Sequence, residues 1–214
     1  MAKFTPILIC ATNTGVGKSF STTKIIDYLN SINIDTVGFK PIETGVFDTA
    51  QDCELLLKHT KQNIKYKNLE VDDINCYKFS LPAAPYIAKD KKIKLKNIKT
   101  KLKKLEKISD VVMIESAGGL MTPIKKNFFM IDLANYLNAK VLLITPSRLG
   151  CINETMLCLE LLKHRDIKYE WCINIMNDKD DFFNISYNYY HEKFGDVLFL
   201  DRDIKKIVER LLDK

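Results

Sequence analysis

The stretch Thr12-Asn13-Thr14-Gly15-Val16-Gly17-Lys18-Ser19 brings together residue types suited to gripping phosphate. Glycines let bare backbone N–H groups approach an anion closely, and a helix starting directly after them adds the positive end of its dipole. A lysine at position 18 reaches β- and γ-phosphates, and the hydroxyl of Ser19 is a Mg²⁺ ligand of the right hardness. The pattern departs from the usual phosphate loop at one position, because Thr12 stands where the first glycine is expected.

Three more positions carry chemistry of the same kind. Lys40 sits in Phe39-Lys40-Pro41-Ile42-Glu43-Thr44-Gly45 after an apolar run, where its charge would neutralise a transferring phosphoryl group. Glu115 follows the apolar run 111–114, the place of a metal-binding acid after a strand, and Ser116-Ala117-Gly118-Gly119 give it a loop of small residues. Asp52 is either a second metal carboxylate or the N-cap of the helix it opens. His59, His164 and His191 all fall outside these motifs, so no mechanism built on histidine suggests itself.

These residues need elements that bring them to one place. Apolar runs at 7–11, 36–39, 111–114, 141–145 and 171–175 read as buried strands, with 197–200 as a sixth. Helical segments are expected over 18–29, 52–57 and 151–162, with one or two turns over 84–89 and a closing helix from Asp203. Continuous apolar strands alternating with helices predict an α/β fold, a three-layer P-loop NTPase-like domain whose mostly parallel sheet is flanked by helices. Such sheets bind ligands beyond the carboxyl ends of their strands, where all the motifs above fall. A chain of 214 residues without a linker or repeat reads as one domain, 1–214.

Composition narrows the classes. The net charge is +6, and ten lysines lie between Lys89 and Lys107. Leu95, Ile98, Leu102 and Leu105 recur among them at helical spacing, without interleaved arginine or aromatic residues. That pattern favours an amphipathic helix with a solvated face over a nucleic-acid or membrane patch. The six cysteines form no CxxC pair and read as reduced core thiols. No apolar run reaches the roughly 20 residues of a membrane span and no signal peptide is evident, so a soluble cytoplasmic protein is expected.

Taken in order, these motifs resemble the dethiobiotin synthetases over residues 5–178. The resemblance rests on the phosphate loop 12–19, Lys40-Pro41-Ile42-Glu43-Thr44-Gly45, Asp52, and Glu115-Ser116-Ala117-Gly118-Gly119. Thr122-Pro123-Ile124 and Leu149-Gly150-Cys151-Ile152-Asn153 complete it. It implies an ATP- and Mg²⁺-dependent ligase that carboxylates 7,8-diaminononanoate with CO₂ and closes a ureido ring. On that reading Lys18 and Lys40 are catalytic, and Ser19, Asp52 and Glu115 hold Mg²⁺. The nucleotide is bound by residues 13–19 (Asn13, Thr14, Gly15, Val16, Gly17, Lys18, Ser19), by Asp52, Glu115, Ser116, Ala117 and Gly118, and by Asn174, with Asn177-Asp178 as the alternative to Asn174. Thr44 contacts the carbamate end of the substrate. Gly150, Cys151, Ile152 and Asn153 take its carboxylate from the neighbouring subunit, which makes the active site a feature of a homodimer. The family's proline after the sixth strand is replaced by Leu198.

Two rivals share the fold class. Partitioning or septum-placement ATPases carry a signature lysine where Asn13 stands. Amide-forming synthetases of the cobyrinate type carry an added amidotransferase domain.

Overall fold

A computed structural model describes residues 3–213. Its elements, in chain order, are β1 (Ile7–Ala11), α1 (Lys18–Ser31), β2 (Thr36–Thr44), α2 (Gln51–Thr60), α3 (Val71–Ile74), β3 (Asn75–Phe79), α4 (Pro85–Ala88) and α5 (Leu95–Leu105). There follow β4 (Val111–Gly119), β5 (Pro123–Lys125), β6 (Phe128–Phe129), α6 (Asp132–Leu137), β7 (Lys140–Pro146), α7 (Cys151–His164), β8 (Tyr169–Asn174), α8 (Lys179–Asp181), α9 (Tyr187–Phe194) and α10 (Ile204–Leu212).

Six strands form one sheet in the order β3-β2-β4-β1-β7-β8, and every pairing in it is parallel. The apolar runs dictate this. Strands β1 and β7 and the first five residues of β4 are buried almost throughout, as central parallel strands covered on both faces must be. Right-handed crossovers put α1 and α2 on one face, with α10 packed against α1, and α5, α6 and α7 on the other. From β1 the chain first moves outward to β2 and β3, then returns through β4 and crosses β1 to reach β7. Loops therefore diverge from the carboxyl ends of β1, β2 and β4, which lie side by side, and leave a crevice there.

The lysine-rich segment is the amphipathic helix α5, with Ile98, Leu102 and Leu105 buried and the lysines outside. Two differences from the sequence reading concern strands. Asn75–Phe79 forms the edge strand β3, although its alternating burial and the polar Asn75 and Lys78 leave no continuous apolar run. The segment 197–200 was expected as a sixth strand, but it joins the sheet edge only through a bridge between Phe199 and Ile173. Its apolar residues are buried all the same, Val197 and Phe199 within a second aromatic cluster with Phe182 and Tyr190.

Candidate active site

The phosphate loop leads from β1 into α1. Gly17 is the N-cap of α1 at φ 90, a left-handed conformation that costs glycine nothing. Its missing side chain also makes room. A Cβ there would come within 2.4 Å of Asn174 Nδ2, and that amide donates to Val16 O at 2.9 Å. Asn174, at the end of β8, thus braces the loop from below. No side chain caps α1, so its first-turn N–H groups stay open to an anion.

Around the start of α1 the structure gathers the residues singled out from sequence. Lys40 is almost wholly buried, and its Nζ lies 2.6 Å from Glu115 Oε1 and 2.8 Å from Asp52 Oδ2. It also donates to Ser116 O at 3.2 Å. Ser19 Oγ is 2.9 Å from both Asp52 Oδ1 and Glu115 Oε1. Lys18 folds back with its Nζ 3.4 Å from Asn13 O. Lys40 belongs to the body of β2 and Glu115 to the body of β4, since both strands run on past the ends read from sequence. Asp52 is not the N-cap of α2. Ala50 is, and Asp52 is the second residue of the helix.

Charge explains the arrangement. Burial pulls the Lys40 ammonium towards neutrality, but Glu115 and Asp52 overcome it and hold the group charged well above its ordinary range. Burial works against the Asp52 carboxylate, yet Lys40 and Ser19 hold its pKa below the usual value. Lys18 is pushed the other way, by burial and by the charge of Lys40. It therefore gains more than an isolated lysine from a phosphate beside it.

Three hard oxygens, on Ser19, Asp52 and Glu115, thus converge. A single hydroxyl hydrogen can serve one of the two carboxylates at a time, which leaves the other facing an oxygen at 2.9 Å. Glu115 Oε2, in a fully buried side chain, has no hydrogen-bond partner. Both features fit a Mg²⁺ ion, which takes one or two carboxylates and completes its shell with water and phosphate oxygens. Among the described residues no cluster of three or more His, Cys, Asp or Glu forms a metal cage.

A cavity of ≈ 630 Å³ opens over this centre. Lys18, Lys40, Asp52, Thr44 and Gly118 line it, together with the Pro82–Pro85 segment and Thr122, whose place in the site motif reading did not specify. Two prolines around a pair of alanines were the only local signal of that wall. Gly118, at φ 71, packs so close to Thr122 that a Cβ would sit 2.4 Å from its Oγ1. Gly150, Cys151, Ile152 and Asn153 do not line this cavity. They form the N-cap and first turn of α7, with Gly150 at φ 91 and no side-chain cap. Glu154 in the same turn links that region to the phosphate loop, accepting from Thr12 Oγ1 at 2.9 Å and from Arg148 Nη2 at 2.6 Å.

All six cysteines are free thiols. Burial raises the Cys10 thiol to about 12, which leaves it inert beneath the loop. No helix among the described residues is long and apolar enough to cross a membrane.

A parallel sheet with a glycine-bearing loop after its first strand, an open helix N-terminus and a lysine–carboxylate centre beside it defines the P-loop nucleotide-binding class. Residues 5–188 match the family described as an AAA domain. Solved structures agree at the level of fold. A GTPase from Pyrococcus abyssi is similar at a TM-score of 0.58 and 16% identity over 94% of this chain and 77% of that one. A plasmid partition protein from Borrelia burgdorferi gives 0.56 and 17% over 98% and 97%. The sequence relatives are more particular. An ATP-dependent dethiobiotin synthetase BioD from Sulfurovum sp. (strain NBC37-1) is 43% identical over 88% of this chain and 90% of its own length. One from Wolinella succinogenes is 35% identical over 97% and 98%. The chain belongs to the ATP-dependent dethiobiotin synthetase family, whose members are ligases.

Proposed function

We propose that this chain, as a single domain spanning 1–214, makes dethiobiotin from 7,8-diaminononanoate, CO₂ and ATP. The observation that carries the reading is Lys40. Its ammonium is buried, fixed by Glu115 and Asp52, and the residue lines the same cavity as the phosphate loop. A switch ATPase has no evident use for such a group, which suits neutralising charge on a phosphoryl group in transfer.

The reaction proceeds in three steps. A substrate amine adds to CO₂, forming an N–C bond and losing a proton, to give a carbamate. A carbamate oxygen attacks the γ-phosphorus of ATP and ADP leaves. The second amine then attacks the carbonyl carbon and loses a proton, and phosphate departs as the ureido ring closes. None of these steps needs a covalent enzyme nucleophile. They need positioning and charge neutralisation. Residues 13–19 hold the triphosphate, with Lys18 on the β- and γ-phosphates. Lys40 faces the transferred group, while Thr44 borders the carbamate and Gly118 the nucleotide. Mg²⁺, held by Ser19, Asp52 and Glu115, would neutralise phosphate oxygens.

The first turn of α7 has no side-chain cap, and although the Cys151 N–H donates to Arg148 O at 3.0 Å, the turn supports a carboxylate site at Gly150, Cys151, Ile152 and Asn153. That turn does not line the cavity over Lys40, which suits a site that serves the neighbouring subunit of a homodimer. A cytoplasmic location fits small-molecule substrates, with neither nucleic acid nor membrane as partner. The test is incubation with the diamine, bicarbonate, Mg²⁺ and ATP, with mass detection of dethiobiotin. Equal phosphate release with and without the diamine would overturn the reading in favour of a switch ATPase.

A further inference from the structure

Glu43 is a nearly buried acid on β2, three residues after Lys40. Its carboxylate is not free. One oxygen accepts from the N–H of Asp52 at 2.9 Å and the other from the N–H of Cys53 at 3.0 Å. These are the second and third residues of α2, the two amides that an N-cap side chain ordinarily satisfies. The N-cap of α2 is Ala50, which has no polar side chain to offer, and no side-chain cap bond is made there. Strand β2 therefore caps α2 from outside the helix, with two carboxyl oxygens at the positive end of its dipole. The same strand grips Asp52 a second time, through the 2.8 Å contact of Lys40 with its carboxylate. Asn75 ties the pieces together, since its Nδ2 donates to Lys40 O at 2.7 Å and lies 3.3 Å from Cys53 Sγ.

We infer that Glu43 is a positioning residue: by holding the backbone of Asp52 and Cys53 it aims the Asp52 carboxylate at Ser19 and at the metal. Asp52 is the one acid of the centre with real freedom, because its side chain is 40% exposed whereas that of Glu115 is fully buried. Ser19, Lys40 and Glu115 sit in the regular elements α1, β2 and β4. Asp52 follows a short connection out of β2, and its direction depends on how the first turn of α2 is seated. This inference rests on the reading of Asp52 as a metal ligand.

The test uses Mn²⁺ as the probe, with its affinity read by electron paramagnetic resonance on the full chain in the presence of a non-hydrolysable ATP analogue. Glu43→Ala weakens Mn²⁺ binding about fivefold or more, the scale of a lost helix cap. Metal-free nucleotide binding changes less than about twofold, because residues 13–19 are untouched. Amide hydrogen exchange at Asp52 and Cys53 speeds up in the same variant. Adding Ala50→Ser supplies a local cap and restores both the metal affinity and the protection, which a general packing defect would not allow. Glu43→Gln keeps one acceptor and gives an intermediate effect; it serves if Glu43→Ala does not fold.

Asp52→Asn separates the two possible failures. If it weakens Mn²⁺ binding while the Glu43 variants bind like wild type, the positioning role is overturned and the metal reading stands. If Asp52→Asn leaves Mn²⁺ binding unchanged, the metal reading falls and the inference falls with it. Failure of Ala50→Ser to restore either quantity in Glu43→Ala also overturns the capping account.

Discussion

Replacing Lys40 by methionine removes one charge and nearly preserves side-chain length, so its effects can be worked through. In the native protein Lys40 Nζ neutralises Glu115 at 2.6 Å and Asp52 at 2.8 Å. The Lys40 and Glu115 side chains are 3% and 0% exposed, so the buried Glu115 carboxylate of the variant would lose its direct partner and face Asp52 across Ser19, with Lys18 as the remaining cation nearby. Breaking a buried pair by removing one partner costs about 3–5 kcal/mol. In a chain of this size each kcal/mol shifts Tm by about 2–4 °C, which gives a fall of roughly 6–20 °C. Removing the second charge as well, in Lys40→Met/Glu115→Gln, takes away the uncompensated carboxylate and should return most of that loss. Catalysis behaves differently. The transition-state contact of Lys40 is absent from both variants, so Lys40→Met should lose about 10²–10³-fold in kcat, and the double variant at least as much, because it also lacks a metal carboxylate. Urea unfolding without nucleotide measures the first effect, and dethiobiotin formation measures the second. A double variant no more stable than Lys40→Met would refute the charge account. Wild-type turnover in Lys40→Met would remove the residue from the chemistry.

Three further outcomes follow from the same geometry. The stabilisation by Lys40 depends on pH in a definite sense. The Lys40 pKa is raised, so its share is complete below the ordinary 10.5 and fades as pH rises through the higher folded value. The Asp52 pKa is lowered, so its share is complete above the ordinary 3.8 and fades as pH falls through the lower folded value. The unfolding free-energy gap between wild type and Lys40→Met should therefore narrow on acidification, as Asp52 and the carboxylate left unpaired in the variant take up protons; a gap that widens on acidification would contradict the assignment. If α7 serves the neighbouring subunit, mixing Lys18→Ala protomers with Asn153→Trp protomers regenerates one intact site per heterodimer, and activity returns. No recovery despite verified subunit exchange would place the carboxylate site within one chain. Base selectivity should be weak, because Asn174 is nearly buried and gives one of its two amide hydrogens to Val16 O, which leaves it less to offer a purine edge. GTP and CTP should support kcat/KM within roughly tenfold of ATP, about 1.4 kcal/mol, and a preference beyond about a hundredfold would mean that other groups read adenine.

The chemistry-bearing residues were legible because their signals are local. A glycine-bearing loop between an apolar run and a helix is constrained by φ and by helix-end N–H groups, so residues 12–19 announce a phosphate site without reference to anything distant. Continuous apolar runs likewise named the central strands β1, β4 and β7, since a strand covered on both faces has no polar side. The edge strand β3 escaped because one flank of it is open, and its Asn75 and Lys78 interrupt the apolar run. The segment 197–200 misled for the opposite reason. Its residues are as apolar as a strand's, yet they pack among aromatics and meet the sheet at a single bridge.

Lys40, Asp52 and Glu115 could be nominated one at a time, but their contact spans up to 75 positions of chain and exists only because β2 and β4 are neighbours in the sheet. That adjacency sets the charge on Lys40 and the orphaned oxygen of Glu115. The role of Glu43 was beyond reach from sequence. An acid inside a strand gives no sign that its two oxygens will replace the cap missing at Ala50, because helix capping across elements is a property of how β2 and α2 are packed.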